Sequence, residues 1–258
     1  MVQLTLLGSG TSHGIPMIAC DCPVCTSSDP RDRRTRTSAV FHFDEQALLI
    51  DTAPELRLQC VACDLRRVDA VAFTHAHADH IVGLDDVRRF NDAMPGPLRV
   101  YGSAATLQRI RTMFRYAFVE DPEYPSAKPR LDARCVTGRW TMGSHEVIPI
   151  PYWHGPTEVL GYRVGSIAYC PDCNAIPDSS RELLQDLDVL VLDALRRRPH
   201  PTHFNLEQAI AEAGRIGAQR TVFTHIAHEL GHAATQAELP PGMEMGYDGM
   251  VCRAGAEA

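Results

Sequence analysis

Long apolar runs are missing from this chain of 258 residues. No stretch approaches the roughly 18 consecutive apolar residues that a membrane helix needs, so a membrane-spanning protein is not expected. The first eight residues have neither a basic start nor a long apolar core, and we therefore expect no signal peptide and predict a cytoplasmic protein. Internal repeats and marked domain boundaries are also missing, which predicts that residues 1–258 form a single domain.

An excess of positive charge is missing as well. The chain carries 25 Lys and Arg residues against 32 Asp and Glu residues, which gives a formal net charge of −7. Proteins that bind nucleic acid or anionic membranes over a broad surface usually carry positive charge there. The sequence therefore predicts no membrane partner and argues against nucleic acid, while a local basic patch could still hold one anionic ligand.

Cysteine, in contrast, is plentiful: the chain contains nine in an otherwise ordinary globular composition. In a reducing compartment, clustered cysteines bind metal more often than they form disulfides. Cys20, Cys22 and Cys25 form a C-x-C-x-x-C motif in a predicted loop at about residues 18–30. Three thiols so close together can bind one tetrahedral Zn²⁺, which needs a fourth donor. Free thiols, or a redox pair of Cys22 and Cys25, are the alternatives.

The fourth donor must come from elsewhere in the chain. Cys60 and Cys63 lie three residues apart in a predicted helix over residues 54–64, so they share one face of that helix. One of them could complete the zinc site, but two thiols that pack in the core are the interpretation that we favour.

The densest group of metal-ligand residue types is an H-x-H-x-D-H cluster. It follows residues 68–73, a β-branched and apolar run that predicts a buried strand. If the strand continues, His75 and His77 share one face. Asp79 and His80, in the loop expected next, can then turn towards a second position. This pattern predicts two cations in one pocket, the arrangement with which hydrolases bind both the attacking and the leaving oxygen.

The same sequence pattern, a predicted strand followed by a His or an Asp, recurs later in the chain. His154, Asp172 and His225 each follow such a strand, and Asp51 ends another one. Side chains at the ends of strands project from a rigid scaffold into a shared loop region. Strands that alternate with helices over this length predict one α/β domain whose loops converge on one edge.

The cluster at residues 75–80 resembles the motif of the metallo-β-lactamase superfamily, and the resemblance extends over essentially the whole chain. It implies an α/β fold, an αββα sandwich of two mixed β-sheets flanked by helices. It further implies one metal held by His75, His77 and His154, a second held by Asp79, His80 and His225, and Asp172 bridging both.

The same resemblance implies that Asp51 orients the histidine ligands without binding metal itself. Two divalent ions that bridge a hydroxide are then expected. The mixed nitrogen and oxygen donors suit Zn²⁺ or Mn²⁺, and also Fe²⁺.

Within the superfamily, three local features resemble the PhnP-type phosphodiesterases, which hydrolyse cyclic ribose phosphates. These features are the Gly-Ser-Gly-Thr-Ser start before the cysteine motif, the pair of His225 and His228, and His203 before a predicted helix over residues 206–216. By this resemblance His228 is the fourth ligand of the structural zinc, and it is preferred to Cys60 and Cys63 for that place. The expected partner is a small phosphorylated substrate, and a homodimer is implied by family likeness alone.

His203 would be the general acid of such an enzyme, since a histidine can protonate a leaving alkoxide near neutral pH. Asp79 and His203 are thus the predicted catalytic residues, with His200 as the competitor of His203. The neighbouring Arg196, Arg197 and Arg198 could hold a phosphate, but we interpret this charge run as a solvated face.

Other functions stay open at this point. They are tRNA 3′ processing, thioester or lactam hydrolysis, and the PqqB-like branch of cofactor biosynthesis, whose members share a C-x-C-x-x-C loop and perform oxidative chemistry. The glycine-rich basic insertion of ribonuclease Z is not visible. Cys170 and Cys173 frame Asp172 and are either buried thiols or an oxidation-sensitive pair. Residues 121–129 are predicted to form a loop at the rim or lid of the pocket.

Overall fold

Two mixed β-sheets of seven strands each form the centre of the protein. The computed structural model describes residues 1–94, 96–119 and 126–255. The first half of the chain supplies β1 (Gln3–Gly8), β2 (Ser38–Phe43), β3 (Gln46–Ile50), β4 (Ala70–Ala72), β5 (Leu98–Gly102) and β6 (Leu131–Cys135). The second half supplies β7 (Trp140–Met142), β8 (His145–His154), β9 (Thr157–Val164), β10 (Ile167–Cys170), β11 (Val189–Asp193), β12 (Arg220–Thr224) and β13 (Met243–Met245), and then β14 (Val251–Arg253).

The last strand returns to the first sheet, whose order is β14-β1-β2-β3-β4-β5-β6. Its pairs from β14 to β3 are antiparallel and those from β3 to β6 are parallel. The second sheet has the order β13-β12-β11-β10-β9-β8-β7. It is antiparallel from β7 to β10 and parallel from β10 to β13. The predicted sandwich of two mixed sheets is therefore confirmed.

The hydrophobic core lies between the two sheets because alternate residues of each strand face the other sheet. Leu4 and Phe41 of the first sheet belong to the same buried cluster as Tyr162, Val189 and Val222 of the second. Two further apolar clusters cover the outer faces, where helices pack on the sheets. The strands of both sheets are thus buried on both faces near their centres.

The described residues contain these α-helices: α1 (Leu56–Ala62), α2 (Ala78–Ile81), α3 (Arg88–Ala93), α4 (Ala104–Met113), α5 (Asp178–Arg181), α6 (Leu206–Ile216) and α7 (His232–Gln236). None of the described helices has the length and apolar character needed to cross a membrane. The predicted helix over residues 206–216 is confirmed as α6. Asn205 caps it by accepting from the backbone N–H of Gln208 at 2.8 Å, and Gly217 ends it with a φ of 73°.

The helix predicted over residues 54–64 is confirmed as the shorter α1, and the strand predicted over residues 68–73 is confirmed as the shorter β4. A 3₁₀ turn at Arg115–Ala117 follows α4. Within the loop predicted at 121–129 as a rim of the pocket, residues 121–125 lie outside the described residues.

Candidate metal centre

The ends of several strands bring potential metal ligands together at one edge of the sandwich. His75 and His77 lie in the loop after β4, and His154 is the last residue of β8. Asp172 lies two residues after β10, and His225 follows β12 directly. The prediction that ligands project from strand ends at one edge therefore agrees with the structure.

Two details of that prediction are wrong. Asp79 and His80 do not lie in a loop but in α2, a helix of a single turn that begins after the extended backbone of His77. The strand before the cluster ends at Ala72, so His75 and His77 do not share a strand face. The helical turn still places His80 beside its partners: its Nε2 lies 3.4 Å from an Asp79 oxygen.

Seven side chains form two groups that share one carboxylate. The first group contains His75, His77, His154 and Asp172, and the second contains Asp79, His80, His225 and Asp172. Within each group all potential ligand atoms lie within 4.8 Å of one another. These are the seven residues that the resemblance assigned to two metals, in the same grouping.

Asp172 directs one oxygen towards each group. Its Oδ1 lies 3.3 Å from Nε2 of His80 and 3.2 Å from Nε2 of His225. Its Oδ2 lies 3.7 Å from Nε2 of His75, in the other group. A carboxylate in this position can contribute one oxygen ligand to each group at the same time.

Four buried atoms of these side chains lack a hydrogen-bond partner in the described part of the chain. They are Nε2 of His80, both ring nitrogens of His225 and Oδ1 of Asp172. Burial of a polar atom without a partner costs about 1–3 kcal/mol, and folded proteins rarely accept it. Since the two Nε2 atoms lie 3.3 and 3.2 Å from Oδ1 of Asp172 and all three are of metal-ligand type, the residues fit bound divalent cations of the kind that accept nitrogen and oxygen donors.

Hydrogen bonds outside the two groups fix the orientation of several histidines. His80 donates from Nδ1 to Asp51 at 2.7 Å, and His154 donates from Nδ1 to the carbonyl of Thr202 at 2.8 Å. Both bonds leave Nε2 free for a metal. Asp51 also accepts from the backbone N–H and the hydroxyl of Thr74, both at 2.8 Å. Asp51 thus orients His80 and the backbone at Thr74 without belonging to either ligand group, which agrees with what the resemblance implied.

The charges in the cluster keep Asp172 ionised and two of its histidines neutral, whereas the carboxylates of Asp172, Asp79 and Asp51 outweigh burial and raise the pKa of His80 well above its ordinary value. Burial alone would raise the pKa of Asp172, but His225 and His80 outweigh it and hold the pKa of this carboxyl well below its ordinary value. Burial also lowers the pKa of His75 well below its ordinary value and that of His154 to about 4. These two imidazoles are therefore neutral at pH 7, the form that binds metal.

Three residues of the site adopt the left-handed backbone conformation, which is uncommon outside glycine. The φ angles are 61° at Asp51, 51° at Asp172 and 57° at His225. Such residues cost about 1–3 kcal/mol each and persist only where the surrounding structure holds them. The sheets thus force the chain into tight bends where each strand delivers its polar side chain.

His203 lies beside both groups but belongs to neither. Its ring centroid is 4.6 Å from that of His154 and 4.7 Å from that of His225. Its Nδ1 donates to Asp193 at 2.8 Å, and the side chain is buried. The competitor, His200, has its ring centroid 5.0 Å from that of His203 and contacts Thr202 through Nδ1.

Asp193 is a buried residue of the site whose contact with His203 was not predicted from the sequence. The one sequence feature that could have indicated a role is its place as the last residue of a buried strand, β11. Asp51 has a comparable place directly after β3. Asp193 also accepts from the backbone N–H of Cys173 at 2.8 Å, so its carboxylate is fixed independently of His203.

A second candidate metal site lies apart from these two ligand groups. The sulfur atoms of Cys20, Cys22 and Cys25 lie 3.2, 3.4 and 3.6 Å from Nδ1 of His228. All four ligand atoms lie within 4.8 Å of one another. A backbone hydrogen bond from Cys25 lowers the pKa of the Cys22 thiol to about 6, which favours the thiolate that binds metal.

The remaining cysteines near these sites behave as core residues. Cys60 and Cys63 pack against the apolar cluster on the outer face of the first sheet, and they belong to none of the ligand groups found in the described residues. Cys170 and Cys173 are fully buried, and burial raises the pKa of both thiols. The structure therefore favours two protonated, buried thiols beside Asp172 rather than an exposed redox pair.

Comparison with known proteins defines the family. Residues 46–226 match the β-lactamase superfamily domain, which covers well over half of the chain. The chain therefore belongs to the β-lactamase superfamily, and the fold, the family and the ligand groups together support a metal-binding hydrolase.

A solved structure confirms the predicted similarity to the PhnP type of this superfamily. The crystal structure of a new diphosphatase from the PhnP family is 42% identical, covers 97% of this chain and 96% of its own, and superposes with a TM-score of 0.91. Zn²⁺-bound PqqB from Methylobacterium extorquens has the same fold at 18% identity, with 98% and 100% coverage and a TM-score of 0.76.

One protein sequence is also similar over nearly the whole chain. The Octanoyltransferase of Porphyromonas gingivalis (strain ATCC BAA-308 / W83) is 36% identical over 96% of this chain. The chain spans 51% of the length of that relative.

Replacement of Asp51 tests the outer hydrogen bonds of the cluster. Asp51→Asn keeps the shape of the side chain but removes the charge that orients His80, and we expect metal affinity to fall about 10- to 100-fold. Metal content after dialysis against graded chelator, measured by elemental analysis, checks this. Asp69→Asn is the matched control, because Asp69 is a buried acid that accepts from the Ala47 backbone away from the cluster. An Asp51→Asn protein that retains metal as well as the control would contradict the assigned role.

Proposed function

We propose that this protein is a dinuclear metal-dependent hydrolase that cleaves small phosphodiesters. The observation that carries the proposal is the shared carboxylate of Asp172, which faces two groups of histidine and aspartate ligands. Two adjacent ions suit an in-line displacement at phosphorus, because both the attacking and the leaving oxygen develop charge.

Each ion would be held by its own set of residues. His75, His77 and His154 would hold one, Asp79, His80 and His225 the other, and Asp172 would bind both. When bound, the ions lower the pKa of water to near neutrality and withdraw charge from phosphoryl oxygens. Zn²⁺ and Mn²⁺ both accept this donor set, and so does Fe²⁺.

His203 would act as the general acid. Cleavage of an alkyl phosphodiester expels an alkoxide, which needs a proton. His203 lies beside both ligand groups, and its hydrogen bond to Asp193 fixes the tautomer with the proton on Nδ1 and orients the ring. Burial lowers the pKa of His203, but the Asp193 carboxylate outweighs it, so the pKa is raised overall. The acid form of His203 therefore persists to higher pH than that of a free histidine.

A second candidate function is hydrolysis of a diphosphate bond. It is favoured by the 42% identity to a diphosphatase over nearly the full length of both chains. The same residues would serve, but the leaving group would be a phosphate, whose second pKa is about 6. Such a leaving group departs without a proton at neutral pH, so His203 would matter less.

The proposed function is tested by the substrate profile of the purified protein reconstituted separately with Mn²⁺ and Zn²⁺. We expect metal-dependent hydrolysis of bis(p-nitrophenyl) phosphate and little hydrolysis of p-nitrophenyl phosphate, measured by release of p-nitrophenolate. Assays of 2′,3′-cyclic AMP and of ADP-ribose then separate diester from diphosphate cleavage. Absence of turnover of all of these substrates in protein shown to contain metal would contradict the proposal, and oxygen consumption would then point to oxidative chemistry.

Replacement of His203 separates proton donation from positioning. His203→Gln should lower kcat for 2′,3′-cyclic AMP about 10²- to 10⁴-fold, but have much less effect on bis(p-nitrophenyl) phosphate, whose leaving group needs little protonation. In the unaltered protein, kcat for the cyclic substrate should fall as pH rises through the raised pKa of His203, and this fall should vanish in the variant. His200→Gln is the control. If His200→Gln produces the larger loss, the general acid is His200.

We also propose that Cys20, Cys22, Cys25 and His228 hold one structural zinc. The loop that carries the cysteines contains few buried apolar residues, so a bound metal would replace a hydrophobic core there. Cys22→Ser should lower the zinc content by one ion per chain and lower the Tm, with Cys60→Ser as the control for loss of a thiol. Unchanged zinc content and Tm in Cys22→Ser would contradict this site.

A further inference from the structure

A groove on the outer side of the first sheet is lined by two arginines that the proposed chemistry does not use. It lies between α4 and β6 and has a volume of about 670 Å³, a size typical of sites for small molecules, which measure roughly 300–1,000 Å³. Leu107 and Ala133 give it apolar surface, and Gln108, Arg111 and Arg115 give it polar groups. None of the residues that line it belongs to a candidate metal-ligand group.

The segment that supplies these arginines departs from the negative charge of the whole chain. Residues 93–119 contain four arginines and no Asp, Glu or Lys, whereas the chain has a net charge of −7. The four are Arg99, Arg109, Arg111 and Arg115, and all of them are exposed. This excess of positive charge is the kind of local basic patch that can hold an anionic ligand on an acidic protein.

The charges of Arg111 and Arg115 are not compensated by ion pairs. Among the residues that the structure describes, no carboxylate oxygen lies within 4.0 Å of either guanidinium. Arg88 and Arg89 of α3, on the same side of the sheet, each pair with an aspartate. The guanidinium carbon of Arg111 lies 5.8 Å from the ring centroid of Phe118. This cation–π contact restrains the guanidinium and leaves the N–H donors at its edge available.

The helix explains only one of these two charges. Arg111 lies in the last turn of α4, where a positive charge interacts favourably with the helix dipole. Arg115 lies beyond α4, at the start of the 3₁₀ turn. Two like charges beside one groove repel each other, so an anion bound between them would stabilise both.

The groove offers donors that match a phosphate group. Guanidinium groups bind phosphate oxygens through pairs of charge-assisted hydrogen bonds. Two guanidinium groups also match the charge of a phosphate monoester, which is about −1.5 to −2 at pH 7. The side-chain amide of Gln108 can add a neutral donor, and Leu107 and Ala133 can contact the organic part of a ligand.

We propose that the groove between α4 and β6 binds a phosphate monoester of nucleotide size or smaller, at a site separate from the candidate metal centre. Arg111 and Arg115 hold the phosphate, and the organic part lies along Leu107 and Ala133. Cys135, the last residue of β6, lines the same groove and is exposed. A bound ligand therefore shields its thiol. Because the site shares no residue with the proposed hydrolase, it does not depend on the proposed function.

The shielding of Cys135 gives a local test of binding. The full-length, metal-loaded protein is alkylated with iodoacetamide, and the rate at Cys135 is measured by peptide mass spectrometry with and without 5′-AMP. We expect AMP to slow this alkylation in a saturable way, while adenosine, which lacks the phosphate, and succinate, which carries two carboxylates, have little effect. An unchanged rate with AMP, or equal shielding by adenosine or succinate, would overturn the inference.

Arginine variants test whether the groove itself is the site. Arg111→Gln and Arg115→Gln should each raise the AMP concentration that gives half-maximal shielding about tenfold, since each removes charge-assisted hydrogen bonds to the phosphate. Arg109→Gln is the matched control, because Arg109 is an exposed arginine of the same helix outside the groove, and it should leave that concentration unchanged. Comparison of rates with and without AMP in each variant cancels any effect of the substitution on the thiol itself.

The outcomes separate this site from the proposed function. A protein that hydrolyses no phosphoester but shows this pattern of shielding loses the proposed function and keeps the phosphate site. Equal shielding in the Arg111→Gln, Arg115→Gln and Arg109→Gln variants would remove the site even in an active phosphodiesterase.

Discussion

The buried carboxylate of Asp172 is the constraint on which the rest of the site depends. A carboxylate without solvent must be compensated by nearby positive charge or by metal, and five histidines and a second carboxylate surround this one. Its two oxygens face different ligand groups, so each group would be incomplete without it. The left-handed backbone at Asp172 and at His225 shows that the fold accepts local strain to keep them in place.

The two sheets explain how residues far apart in the sequence reach this point. Parallel pairing of β10, β11 and β12 sets the carboxyl ends of three strands at one edge, and these strands deliver Asp172, Asp193 and His225. The first sheet delivers Asp51 and the histidine cluster from β3 and β4, which are also parallel. The sandwich thus acts as a rigid frame, while the chemistry lies in the loops and the single helical turn at its edge.

The candidate ligands were predictable mainly through the resemblance to the superfamily, which assigned roles to reactive residue types that lie near the ends of apolar strands. The bounds of α6 were predictable because Asn205 and Gly217 give local start and stop signals. Other features depend on tertiary contacts. The helix α2 has four residues and no hydrophobic period, and β6 is a partly exposed edge strand without buried residues, so neither had a readable pattern. The contacts of Asp193 with His203 and with the backbone of Cys173 are likewise made only in the folded chain.

Anomalous diffraction from crystals of the metal-loaded protein, recorded at the absorption edges of Zn and Mn, tests the central claim most directly. Our account predicts two peaks about 3.5–4 Å apart, one on each side of the Asp172 carboxylate. A single peak that Asp172 does not share, or the absence of any peak beside Asp172 in crystals that hold metal elsewhere, would contradict it.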